Sequence, residues 1–241
     1  MRHSILSLVS LLAIAGCSSI ERVQMAPSPA LARVVPMQVT QASFPAWKAP
    51  LSFGSWRTQG LYKDFERGSC RDKLLTTKVS RSGRFRFALA APRADQQYPP
   101  GQVLQAECVT TNHTTIYRAL ADIQADADGY PQLQCTFTGL DTGKLEIEKR
   151  RGQPEIGSAT FGESTWTVRS VGRSDSGASS LDRPFGYEIL LGDDVVAAVE
   201  TINRGRVWIT PAAGDDVRLA ALATALLLYD PREADLEQDC E

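Results

Sequence analysis

The feature that most limits how this chain can fold is an apolar segment near its end, residues 215–230 (DDVRLAALATALLLYD). The two aspartates can cap the start of a helix, and Pro231 ends it. Between residues 219 and 229 only Thr224 is polar, so such a helix must be buried on all sides or lie in lipid. It would span roughly 16 Å, about half of the hydrocarbon core of a bilayer. The segment therefore predicts a helix surrounded by protein.

The rest of the chain has the pattern of short β-strands. From residue 51 onward, runs of alternating apolar and polar residues are separated by turn residues, as in residues 132–138 (QLQCTFT). This alternation indicates strands with one buried and one wet face. Residues 192–193 and 203–205 predict tight hairpin turns, and residues 81–83 (RSG) predict another. We expect a mainly β protein, an antiparallel barrel of about ten to twelve strands with the hydrophobic C-terminal helix buried in it.

Residues 186–230 (GYEILLGDDVVAAVETINRGRVWITPAAGDDVRLAALATALLLYD) resemble the end of tubby C-terminal-like domains. That superfamily includes the plant LURP-one-related proteins, the phospholipid scramblases and bacterial relatives. The resemblance covers roughly residues 160–230 and implies a twelve-stranded barrel wrapped around one hydrophobic helix. Eukaryotic tubby proteins bind phosphoinositides through basic side chains. The sequence shows no matching basic cluster, so the resemblance does not carry that activity over.

The N-terminus has the pattern of a secretory signal. A short basic head, residues 1–3, precedes the apolar run of residues 5–14. The sequence Ile14-Ala15-Gly16-Cys17 that follows resembles the bacterial lipoprotein box. The resemblance implies cleavage before Cys17 and acylation of its thiol, and several acyl chains give stable membrane anchoring. Ser18 after the cysteine favours the outer membrane, by resemblance to enterobacterial sorting. The alternative is an ordinary cleaved signal with a cysteine nearby.

These patterns divide the chain into three parts. Residues 1–16 are the predicted lipoprotein signal peptide. Residues 17–46 hold the predicted lipidated cysteine and a flexible tether, since they contain four prolines and no sustained periodicity of hydrophobic residues. A short strand is conceivable around residues 33–40, but Pro36 would confine it to a sheet edge. Residues 47–241 form a single predicted barrel domain.

The charge distribution excludes a nucleic-acid partner. The whole chain has 26 basic and 28 acidic residues, and loss of the signal with Arg2 leaves 25 basic residues. The sequence contains no block of five or six like charges, so we expect a solvated surface on which positive and negative side chains are mixed. The predicted partners are the membrane, through the acyl chains, and an envelope protein.

Four cysteines remain besides Cys17, an even number suited to disulfides in an oxidising compartment. Three connectivities are possible. Cys108 and Cys135 both lie on apolar strand faces and could be bridged within the sheet. Cys70 and Cys240 are then the leftover pair. No CxxC spacing occurs, so zinc binding and redox catalysis are not expected.

No residue pattern indicates an enzyme. His113 is the one histidine after the signal and lies in TTNHTT, which predicts a polar loop. No nucleophile motif accompanies it. Residues 125–129 (ADADG) are similar to the centre of a calcium loop, but Cys135 stands where the loop needs its bidentate glutamate. We therefore expect no catalytic residue, no metal and no cofactor.

The resulting expectation is a lipid-anchored lipoprotein of the cell envelope that acts as a non-catalytic binding or structural module. The alternative is a periplasmic inhibitor or immunity-type lipoprotein that blocks an envelope hydrolase. No motif supports a hydrolase that uses aspartate or glutamate. Only a cleft with two facing carboxylates would support that hypothesis.

Overall fold

The computed structural model describes residues 23–41, 49–73, 76–90, 103–117, 123–126, 131–149, 153–180, 184–211 and 216–229. Cys17, Cys240 and the predicted signal peptide lie outside these ranges. The described part has one 3₁₀ turn at Pro29–Leu31, fourteen strands and one α-helix. Their bounds are β1 Met37–Gln38, β2 Thr40–Gln41, β3 Leu51–Phe53, β4 Trp56–Lys73, β5 Thr76–Ala90, β6 Val103–Tyr117, β7 Ile123–Asp126, β8 Pro131–Gly139, β9 Gly143–Glu148, β10 Ile156–Phe161, β11 Ser164–Val171, β12 Gly186–Leu191, β13 Asp194–Glu200, β14 Arg206–Ile209 and α1 Asp216–Leu228.

A single antiparallel sheet contains all fourteen strands and closes almost completely on itself. Thirteen of them follow the order β1-β14-β13-β12-β11-β10-β9-β8-β6-β5-β4-β3-β2, while β7 pairs only with β6. The two ends of this order belong to one short segment, because β1 pairs with β14 and β2 pairs with β3. Between them, the Val39 amide donates to the carbonyl of Gly205 (3.2 Å). The predicted antiparallel barrel is confirmed.

The C-terminal helix fills the core of this barrel. Every residue from Leu219 to Leu226 is completely buried. The only polar side chain among them, that of Thr224, donates its hydroxyl to the carbonyl of Ala220 (2.8 Å). That internal bond removes the cost of burying a hydroxyl among apolar groups. The helix shares one hydrophobic cluster with inward side chains from strands around the barrel, including Phe85, Phe137 and Trp166. The predicted burial of the helix is therefore confirmed.

Two features of the strands differ from the sequence-based expectation. Strand β5 continues through residues 81–83, and β6 continues through His113. Each gains a full ladder of cross-strand partners from the other, from Thr76↔Tyr117 to Ala90↔Val103. This pairing stabilises extended backbone at positions whose polar composition suits turns equally well. The predicted turn at 81–83 and the predicted loop around His113 are wrong.

Part of the predicted tether is also folded. Residues 23–35, which we call the strap, lie across the outer face of β11 to β14, where Met25 and Leu31 are buried. Gly186 permits the close approach, because an added Cβ would lie 2.4 Å from the sulfur of Met25. Residues 37–41 then complete the sheet as β1 and β2. The flexible tether therefore does not extend through residues 23–41, and the folded domain begins well before residue 47.

The strands β4, β5 and β6 extend beyond the barrel at one end. The last pair that joins β6 to β8 is Thr110↔Leu133, and β6 continues for seven residues after it. We call this extension the arm: residues 67–73 of β4, 76–82 of β5, 111–117 of β6, and β7. We call the end from which it projects the lower end. The β13–β14 turn lies at the same end, because neighbouring strands alternate in direction around the barrel. The chain leaves the helix there as well, since the hydroxyl of Tyr229 hydrogen-bonds Oε1 of Gln132 at the start of β8 (2.9 Å).

Candidate functional surface

The inside of the barrel is occupied by the helix, so candidate binding positions lie on the outer wall. There the outward side chains of β4 to β11 form a broad polar face, rich in threonine, serine and glutamine, because inward and outward residues alternate along each strand. Two shallow grooves occur on this wall, one over β4 to β8 and one over β9 to β11.

The groove over β4, β5, β6 and β8 has a volume of about 590 Å³. Arg86 is one of its lining residues and lies opposite Glu107 in the β5–β6 register. Its guanidinium carbon is 5.2 Å from the centre of the Tyr62 ring. The tyrosine is 40% exposed, so the ring and the cation together form an amphipathic surface. The remaining polar lining comes from Gln59, Gln105, Thr136 and Thr138. This set of groups can hydrogen-bond a polar ligand and stack against it.

A β-bulge shapes this groove. The β4–β5 register shifts between Gln59 and Tyr62, and Gly60 within the shift has a φ of +58°. A side chain would be strained in that backbone conformation. The bulge bends β4, and bulges of this kind commonly re-aim a side chain beside a functional site. Gly60 therefore sets the position of Tyr62 beside Arg86.

The second groove, of about 570 Å³, lies at the lower end over β9, β10 and β11. It contains the carboxylates of Glu146 and Glu148 and the 56%-exposed side chain of Ile156. The two carboxylates project from alternate positions of one strand, so they stand side by side. Carboxylates that cleave a glycosidic bond must flank that bond from two sides. Glu146 and Glu148 therefore do not form the facing pair that cleavage of a glycosidic bond would require.

Two buried carboxylates attach the strap to the barrel. Glu188 accepts hydrogen bonds from the amide of Ser28 (2.8 Å) and from Nη2 of Arg169 (2.7 Å). Glu200 accepts from the amide of Met25 (3.0 Å) and from Nε of Arg206 (3.1 Å). Each carboxylate is thus both paired with an arginine and bonded to strap backbone, which is how a buried charge is made tolerable.

The strap begins at the lower end of the barrel. Asn203, in the β13–β14 turn, donates from its side-chain amide to the carbonyl of Val23 (2.8 Å). The amide of Asp175 donates to the carbonyl of Gln24 (3.0 Å). Chain that precedes Val23 therefore reaches the domain at the end from which the arm projects.

The strand register brings basic residues together along the outward face of β4 and β5. Arg71 lies directly opposite Lys78, and Arg84 and Arg86 follow along β5 on the same face. All four side chains are exposed, and we call them the basic stripe. Sequence reasoning missed the stripe, because its members are separated by outward serines, inward apolar residues and a strand connection. The stripe becomes apparent only when the outward positions of β4 and β5 are aligned in the correct strand register.

The predicted disulfide between Cys108 and Cys135 is present, with an S–S distance of 2.03 Å. The two residues are direct partners in the β6–β8 register and both are buried. Cys70 is also disulfide-bonded. Cys240, its predicted partner, lies outside the described residues.

We expect two disulfides in the oxidised protein, Cys108–Cys135 and Cys70–Cys240. The first follows from the register, and the second follows from the exclusion of the other cysteines. Peptide mapping under non-reducing conditions checks both, and a free thiol in any of the four would contradict the prediction.

The other candidate residues do not assemble into a catalytic or metal site in the described part of the chain. His113 faces outward from β6 and lies opposite Ser80 of β5 in the register. Asp126 ends β7, and residues 127–130 of the calcium-loop-like sequence lie outside the described ranges. No group of three potential metal ligands occurs among the described residues.

Comparison of the chain with models of known protein families finds no match. Comparisons with curated proteins and with solved structures likewise find no match. Within the described ranges, no helix is long and apolar enough to cross a membrane.

Proposed function

We propose that this protein is a lipid-anchored lipoprotein of the bacterial outer membrane that acts as a non-catalytic binding module. Acyl chains on Cys17 hold it in the membrane, and the barrel presents a binding surface on its outer wall. The observation that carries the proposal is the division of the barrel into a filled inside and a polar outside. The helix fills the interior with apolar side chains, while Arg86 and its polar neighbours line a groove outside, with Tyr62 beside Arg86.

The polar groove supports binding in preference to catalysis. Its arginine, glutamines and threonines offer many donors and acceptors, whereas the histidine of the described chain lies elsewhere, in the arm. Ligand sites commonly combine a few convergent polar groups with an aromatic side chain. We also propose that the domain belongs to the tubby C-terminal-like superfamily. A barrel wrapped around one C-terminal helix supports that membership.

The lipid anchor has a direct test. Metabolic labelling with radioactive palmitate should mark the wild-type protein and should leave Cys17→Ser unlabelled, because the thiol is the proposed acylation site. Cell fractionation of the same two proteins shows whether attachment to the membrane depends on that residue. Labelling of Cys17→Ser at the wild-type level would contradict the proposal. Cys240→Ser is not a suitable control, since loss of a disulfide affects folding, and Ser18→Ala serves instead.

A second candidate function is inhibition of an envelope hydrolase, and the arm is the observation that favours it. A narrow projection can enter the cleft of an enzyme, which a broad barrel wall cannot. Pull-down of envelope proteins with the intact protein and with Arg86→Gln separates the two functions. Loss of the partner in Arg86→Gln favours the groove as a binding site. Retention of a hydrolase partner by that variant favours the inhibitor.

A further inference from the structure

We propose that the two members of the basic stripe that lie in the arm, Arg71 and Lys78, dock on the anionic surface of the same membrane that holds the acyl chains of Cys17. This inference rests on the proposed lipid anchor. It adds an orientation: the barrel stands with its lower end toward the bilayer, and the arm contacts the phospholipid headgroups. The partner is the phosphate-bearing headgroup layer of a membrane.

The position of the strap sets how far the barrel can lie from the membrane. Val23 is held at the lower end by Asn203, and Met25 is held by Glu200 two residues later. Six peptide units separate Cys17 from Val23, and an extended chain of that length spans at most about 20 Å. The lower end of the barrel is therefore the part of the domain nearest to the anchored lipid.

The length of the arm matches this distance. Beyond the last β6–β8 pair, β6 continues from residue 111 to Tyr117, and β4 and β5 accompany it. Seven residues of antiparallel strand extend about 24 Å. The arm leaves the barrel in the direction of the membrane, so its outer part lies at the level of the headgroups when the anchor is inserted.

The charge of the arm is opposite to that of the headgroups. The arm carries Arg71 and Lys78 of the basic stripe, both exposed. The other two members, Arg84 and Arg86, lie on the barrel wall, where Asp64 and Glu107 stand opposite them in the register. Arg71 and Lys78 lie farther along the arm than the rest of the basic stripe and have no carboxylate directly opposite in the register. The whole chain, by contrast, has a net charge of −2. The positive charge is thus concentrated at the position that the anchor brings to the membrane.

A single lipid-proximal cation contributes a few-fold to membrane partitioning, and two contribute roughly 30-fold when both reach the surface. The effect decays within a Debye length, about 8–10 Å at physiological salt, so it depends on the arm reaching the headgroups. Cations at the opposite end of the barrel contribute little. This distance dependence makes the proposal testable with two variants of equal charge.

The experiment uses the mature chain with Cys17→Ser, which has no acyl chain, and measures co-sedimentation with vesicles. The vesicles contain phosphatidylcholine alone or phosphatidylcholine mixed with phosphatidylglycerol. The arm variant is Arg71→Gln/Lys78→Gln. The matched control is Arg57→Gln/Lys144→Gln, which removes two exposed cations near the opposite end of the barrel.

We expect binding to the phosphatidylglycerol vesicles, weaker binding at higher salt, and roughly 30-fold weaker partitioning for the arm variant. The control variant should bind within a few-fold of the parent. Circular dichroism shows whether each variant is folded. Equal losses in the two variants, absence of binding to anionic vesicles, or binding only to a soluble polyanion would each overturn the proposal. Palmitate labelling of the wild type reports on the anchor separately, so failure of docking is distinguishable from failure of the proposed function.

Discussion

Replacing Leu226 with aspartate is expected to prevent folding of the protein. Leu226 is completely buried in the helix and belongs to the cluster that includes strand side chains from around the barrel. A carboxyl group there cannot be hydrated, and burying it without a partner, together with the loss of the leucine's packing, costs an amount comparable with a domain's net stability. The expected result is insoluble protein or a circular dichroism spectrum without cooperative thermal unfolding.

A milder series tests the same burial where the variant still folds. Leu222→Ala removes buried methyl groups and is expected to lower the free energy of unfolding by roughly 2–5 kcal/mol, because it leaves a cavity. Leu228→Ala is the matched control, since Leu228 is only partly buried at the end of the same helix, and its loss should be well under half as large. Urea denaturation measures both. If Leu226→Asp folds normally and only loosens membrane attachment, the helix lies on the bilayer instead.

Truncating Glu200 to alanine is expected to cost about 3 kcal/mol of folding free energy. The side chain of Glu200 is 3% exposed, and it receives hydrogen bonds from Arg206 and from the amide of Met25. Its removal leaves a cation and a strap amide without their acceptor in a region that water does not reach well. Because the strap is bound through this carboxylate, proteolysis of residues 23–35 should also become faster.

The matched control for Glu200→Ala is Asp141→Ala. Asp141 also forms an ion pair with an arginine, Arg218, but both of those side chains are about a quarter exposed, at 24% and 27%. A solvated pair of this kind contributes at most about 1 kcal/mol. The double variant Glu200→Ala/Arg206→Ala should recover part of the loss, since no buried cation is then unpaired. Equal losses for Glu200→Ala and Asp141→Ala would contradict this account of how the strap is held.

The barrel, the buried helix and the Cys108–Cys135 disulfide were all predictable from the sequence alone. Each depends on a local pattern: the period of two in the strands, the absence of a polar face on the helix, and the inward positions of the two cysteines. Such patterns can be recognised in the sequence because the burial of a residue follows from its position within a single helix or strand. The same local reasoning failed at residues 81–83 and around His113. There, cross-strand partners decided between turn and strand, and those partners are distant in the sequence.

The candidate functional surface was not predictable in this way. The groove needs Tyr62 and Arg86 to be adjacent across a bulge, and the basic stripe needs Arg71 to lie opposite Lys78. A shift of register by one residue would move every one of these side chains to the other face of its strand. The strap likewise depends on two glutamates more than 150 residues away along the chain. The sequence by itself determined which faces are buried, whereas the tertiary structure alone decided which exposed side chains are neighbours, because register and closure are set by the packing of the whole barrel.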